Sequence, residues 1–151
     1  MKTKCFGLVV LVAVLVMLTA CAIKTYQAYP GKTRPKNEVA TLEPEPGIRI
    51  ESIGAKTVNI ESEESGYSGY TKAKLPKGEN TLRVIPSTIS AVKSYAILKA
   101  TLKGGREYVV RHKRVTGNNS PGAVYEIWVE DKKSEEQVSN RAKSGNPFGP
   151  Q

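Results

Sequence analysis

Between residues 38 and 130 apolar and polar side chains alternate in short runs bounded by turn residues: EVATL, GIRIESI, KTVNIE, YTKAKL, NTLRVI, SYAILKATL, REYVVRHKRV and AVYEIWVE. A period of two sends successive side chains to opposite faces of a strand, so each run has one apolar and one wet face. In the second run Ile48 and Ile50 take one side and Arg49 and Glu51 the other; in the third, Val58 and Ile60 oppose Asn59 and Glu61. Short strands at this spacing predict an all-β domain over residues 37–131, a small antiparallel sandwich or partly open barrel of about seven or eight strands. Lys103-Gly104-Gly105-Arg106 lies between two strong strand patterns and reads as a hairpin turn, its glycines supplying positive φ. Asn118 to Gly122 forms a longer connection.

The flanks lack this pattern. Residues 21–36 carry Pro30, Gly31 and Pro35 without sustained periodicity and are expected to form a tether. From residue 132 to 151 apolar residues are few and the charges are mixed, which predicts a disordered tail, with a short helix around Ser134 to Ala142 as the ordered alternative.

The first residues have a third pattern: Lys2 and Lys4, the apolar run FGLVVLVAVLVM, then Leu18-Thr19-Ala20-Cys21. That order marks an export signal over residues 1–20. A membrane-spanning helix needs about 20 consecutive apolar residues, and the run falls short before Lys24. Leu18, Thr19, Ala20 and Cys21 resemble the lipobox of bacterial lipoproteins at each of its positions. The resemblance implies that a signal peptidase recognises Leu18, Thr19 and Ala20 and cuts before Cys21. It also implies a diacylglycerol on the Cys21 thiol and an acylated new amino terminus, so the first partner is membrane lipid. Two or three acyl chains anchor stably where one binds only marginally. In the family, an Asp just after the modified Cys retains the protein at the inner membrane. Ala22 and Ile23 stand there instead, which implies the outer membrane, facing the periplasm, in a Gram-negative host; a Gram-positive host has one membrane and no sorting.

Cleavage changes the composition that matters. Cys5 leaves with the signal and Cys21 is alkylated, so disulfides and thiolate-held metals within one chain are excluded. The remaining chain of about 130 residues suffices for one core. Losing Lys2 and Lys4 takes the net charge from +9 to +7. A basic protein on a membrane favours anionic neighbours, and an exported one has little access to nucleic acid.

The domain also resembles a loose group of small bacterial lipoproteins that open on Tyr-Pro-Gly. The residues that carry this are Tyr29-Pro30-Gly31, Arg34-Pro35, Glu38 to Leu42, Leu75-Pro76-Lys77-Gly78 and Gly105-Arg106-Glu107-Tyr108. Group members usually have Leu-Pro-Gly and a following His where Pro76-Lys77-Gly78-Glu79 stands here. The group implies a compact β domain over residues 29–130 and no particular chemistry.

Candidate catalytic groups are sparse. His112, the one histidine, lies in Arg111-His112-Lys113-Arg114 and needs an orienting acid and a nucleophile to act as a base; an exposed strand-end residue is the plainer reading. Gly31-Lys32-Thr33 echoes a phosphate loop, but Tyr26 stands where the earlier Gly belongs. Asn118-Asn119-Ser120 fits a glycosylation sequon by chance. Glu61, Glu63 and Glu64 lack the ligand spacing of a calcium loop and read as a solvated acidic turn, and Tyr67 and Tyr70 beside them as turn packing before a recognition surface. No metal and no cofactor is expected.

Two surface features stand out. Arg106, Arg111, Lys113 and Arg114 form a candidate patch for an anionic partner, lipid or envelope protein. By alternation His112 and Arg114 share a face with Tyr108 and Val110, while Arg111 and Lys113 take the other. Trp128, on the polar side with Glu126 and Glu130 and opposite Tyr125, Ile127 and Val129, is a candidate partner anchor unless the C-terminal segment or the neighbouring sheet covers it. The expected function is that of a membrane-anchored, non-enzymatic lipoprotein with an accessory or structural role in the cell envelope. The alternative is a small binding module for an anionic envelope ligand: lipid, lipopolysaccharide or glycan.

Overall fold

A computed structural model describes residues 24–66, 69–87, 94–116 and 124–144. The signal, the four lipobox residues, Tyr67 and the sequon lie outside the described residues. The chain folds as an all-β sandwich. Ten strands run β1 Thr25–Gln27, β2 Val39–Pro44, β3 Ile48–Ile53, β4 Lys56–Glu61, β5 Lys72–Pro76, β6 Gly78–Pro86, β7 Ala96–Leu102, β8 Glu107–Thr116, β9 Val124–Asp131 and β10 Ala142–Lys143. One sheet has the order β1-β5-β2-β8-β9-β10 and the other β4-β3-β6-β7. The eight period-two runs are β2 to β9. The two further strands fall in segments expected to be tether and tail.

Alternation builds the core. Along β9 Tyr125, Ile127, Val129 and Asp131 are buried and Glu126, Trp128 and Glu130 half-buried on the outer side; along β7 Ala96, Leu98, Ala100 and Leu102 are buried between exposed residues. The inward rows of both sheets merge in one apolar cluster that includes Leu42, Ile50, Leu75, Leu82, Leu98 and Ile127. On β3 strict alternation would bring Ser52 inward and turn Ile53 out. The register instead slips between Ile50 and Ser52, and Ile53 is buried; one extra residue reverses the facing of every residue after it in the strand.

Pairing departs from the antiparallel expectation at two places, where β1 runs parallel to β5 and β2 parallel to β8. The cause of the second is the turn at Lys103 to Arg106, which is not a hairpin. β7 belongs to the four-stranded sheet and β8 to the six-stranded one, so the chain crosses between layers there. Gly105 has φ +77°, whereas Gly104 serves a close approach: a Cβ on it would lie 1.9 Å from the Asn37 carbonyl oxygen. The glycine pair therefore locks this crossing against the segment before β2.

Residues 24–38 are not a loose tether. Tyr26 packs against the core, Tyr29 is buried under the Arg34 guanidinium at 4.9 Å, and the Gln27 side-chain amide donates to the Tyr29 and Gly31 carbonyls. Residues 132–144 likewise depart from the expected disorder, and the helix considered for Ser134 to Ala142 does not form. This segment turns at Lys132 to Ser134, bridges β9 at Gln137 and β7 at Ser139, and ends in β10 against β9. Val138 packs on the core and Ser144 is buried. It reads as unstructured in sequence because backbone amides and short polar side chains hold it, leaving little apolar pattern to detect.

Candidate functional site

A cleft of about 350 Å³ opens on the outer face of the six-stranded sheet. Each strand contributes by its outward row: Glu43 from β2, Lys72 from β5, Val109 and Arg111 from β8. Glu45 follows β2, Lys132 follows β9, and Glu63 and Glu64 rise at one wall on a 3-10 turn, Glu63–Ser65. Ser62 caps that turn, its hydroxyl accepting from the Glu64 amide.

Two carboxylates of the cleft, Glu43 and Glu45, are paired. Glu43 takes the ammonium of Lys72 at 2.9 Å and that of Lys132. Glu45 accepts from the His112 Nδ1–H at 2.7 Å, from the His112 backbone amide and from Arg111 at 3.4 Å. Partial burial pushes both carboxyls up, but the hydrogen bonds from these cationic and amide donors prevail and hold them below the ordinary glutamate range. The hydrogen bond to Glu43 raises the Lys72 ammonium, against a smaller desolvation effect and with help from Glu63. Both carboxylates are thus ionised near neutrality and ill-suited as general acids. Glu45 does orient His112 as an acid orients a catalytic base, yet the ring lies against Tyr125, 5.5 Å between centroids, and over Gly47, neither of which supplies a serine or cysteine nucleophile. His112 is accordingly half-buried and engaged, unlike the exposed strand-end residue that the sequence suggested.

The four cations of the sequence patch do not converge. Arg106 lies at the inter-sheet turn, 3.6 Å from Asp131, and Arg111 contacts Glu45 and, at 3.5 Å, Glu130. Lys113 and Arg114 stand at the far tip of β8, on opposite faces. Asp131 accepts the Lys133 and Ser134 amides; burial raises its carboxyl, and these amides with Arg106 bring it below the usual range. Trp128 carries Arg141 over its ring at 4.4 Å and donates its Nε1–H to Glu130 at 3.2 Å, so the C-terminal segment covers it. Arg141 also pairs with Glu126 at 3.1 Å. Among the described residues no three of His, Cys, Asp and Glu are grouped to hold a cation. Sequence reasoning missed Glu43, Glu45, Lys72 and Lys132; the visible signal was Glu43-Pro44-Glu45-Pro46, two acids set by prolines at a strand end.

Comparison with protein-family models, curated proteins and solved structures finds no match to this chain.

Proposed function

We propose that this chain is a lipid-anchored, non-enzymatic lipoprotein with an accessory or structural role in the bacterial cell envelope, held through acylated Cys21. The observation that carries the reading is the order of Lys2, Lys4, an apolar run and Leu18-Thr19-Ala20-Cys21, with a folded domain close behind it whose first strand opens at Thr25. An exported chain cut before Cys21 leaves the whole sandwich outside the cytoplasm, held to lipid through its modified terminus. Ala22 and Ile23 after the anchor favour the outer membrane, periplasmic face, in a two-membrane host. Support for a non-enzymatic role comes from the cleft, where Glu43 and Glu45 are held ionised by neighbouring donors instead of being poised for proton transfer.

The test is metabolic labelling with a clickable fatty acid in the native host, with separation of membranes on a sucrose gradient. Wild type takes up label and sediments with the outer membrane; Cys21→Ser takes up none, because an alcohol cannot replace the thiol in the acyl transfer. Equal labelling of the two proteins overturns the anchor, and wild type in the inner membrane overturns the destination alone.

A further inference from the structure

β1 runs parallel to β5 from the end of the sandwich where β2, β6 and β8 finish and β7 and β9 begin. The chain therefore enters the domain at that end, where Lys24 accepts the Thr71 amide through its carbonyl. Only Ala22, Ile23 and Lys24 separate Cys21 from β1. Four peptide steps reach at most about 14 Å, a fraction of the span of a small domain. An acylated Cys21 thus holds one particular end of the sandwich close to the lipid.

That end also has a surface unlike the other. Among the described residues the large exposed apolar side chains are Tyr70, Ile97 and Val115, and all three lie toward it. Tyr70 stands edge-on against Tyr26 at 5.3 Å between centroids, which fixes its ring beside the start of β1. Val115 is displayed by a register shift between Arg114 and Thr116, a bulge that takes one residue out of the ladder and turns it outward. Lys24, Lys113 and Lys143 belong to the same end, and its carboxylates Glu45, Glu61 and Glu126 are paired with Arg111, Arg49 and Arg141 respectively. Glu63 and Glu64 remain exposed at its rim, with Glu63 acting on Lys72. The opposite end, at the 3-10 turn Lys36–Glu38 and Lys77, intermixes both signs and shows no large exposed apolar residue among those described.

We infer that the anchor end lies flat on an anionic phospholipid bilayer, with Tyr70 and Val115 in the headgroup layer and Lys24, Lys113 and Lys143 against lipid phosphates. The inference rests on the lipoprotein reading and adds an orientation to it. Tyrosine rings suit the membrane interface, and basic side chains near an anionic surface each add attraction. The acyl chains supply the affinity; the protein surface determines which way the domain stands.

The experiment uses mature acylated protein in phosphatidylethanolamine vesicles containing phosphatidylglycerol. With Cys5 gone and Cys21 alkylated, a spin label on Val115→Cys or Lys77→Cys sits on the sole free thiol. Both positions are exposed, so neither label disturbs the core. In vesicles the label at 115 becomes several-fold less accessible to an aqueous nickel chelate than the label at 77. Equal accessibility in protein that is acylated and floats with the vesicles overturns the orientation while leaving the anchor intact; selective protection at 77 puts the opposite end on the membrane. Absence of acyl mass on Cys21 removes the lipoprotein reading and the inference with it.

Discussion

The sandwich of β2 to β9 and the strap of residues 132–144 are both ordered, but by different means. In the sandwich apolar rows from two sheets bury one another, and residues such as Leu42, Leu98 and Ile127 lose all contact with water. In the strap Val138 and Ala142 alone pack on the core, and polar groups do the rest. Ser139 and Ser144 accept the Val129 and Tyr125 amides at 2.8 and 2.9 Å, Asn140 accepts the Lys99 amide, and Arg141 lies over Trp128. Burial gains scale with apolar area, whereas a hydrogen bond adds only about 1 kcal/mol net. One region can hold itself together; the other is ordered by docking onto it.

The largest effect should come from deleting core volume. Leu42→Ala on β2, central to the six-stranded sheet, should lower the unfolding free energy by about 3 kcal/mol or more, read from denaturant unfolding with an unchanged slope. A loss below about 1 kcal/mol would mean that the two sheets do not close over Leu42 as a packed core.

Ending the chain after Asp131 should produce a smaller loss. The amides of Lys99, Tyr125 and Val129 lose their side-chain acceptors and those of Thr101 and Asp131 their backbone acceptors, at about 2 kcal/mol altogether since the exposed ones can turn to water. Trp128 fluorescence should shift to the red as Arg141 leaves its ring. Unchanged stability and emission would show that the strap does not dock. The contrast explains what was legible in the sequence: periodicity announces strands that bury an apolar row, hence all of β2 to β9, but a segment docked through Ser139, Asn140 and Ser144 has the composition of a tail.

The same logic separates what was visible in the candidate site. Trp128 was placeable because alternation along β9 is uninterrupted, and cover by the C-terminal segment was among the readings it allowed. The division of the basic run 111–114 between two faces was equally legible, since it follows from alternation along β8; the ion pairing of its members was not. Glu45, 66 positions from Arg111, claims one of them. Partners so distant along the chain leave no local trace. Nor did the Lys103 to Arg106 turn: two glycines suit a hairpin and an inter-sheet crossing equally well until the Asn37 backbone is seen against Gly104.

The last and smallest effect concerns the ion pairs around Glu45, partly exposed and so contributing about 1 kcal/mol or less. The Glu45 carboxyl lies below its ordinary value of 4.5 in the folded protein, because donation from His112 and Arg111 outweighs its partial burial. A carboxylate depressed by folding adds stability that is complete above the unfolded pKa and is lost as pH falls through the folded one. The pairing is therefore present at pH 7 and disappears on acidification below about 4.5. Glu45→Gln keeps an oxygen for the His112 amide but removes the charge, so its deficit relative to wild type should be greatest at neutral pH and shrink in acid. Unfolding curves of the two proteins above and below that range measure it. A deficit of the same size in acid as at neutral pH would assign the effect to packing at the β2 end and not to the charge of Glu45.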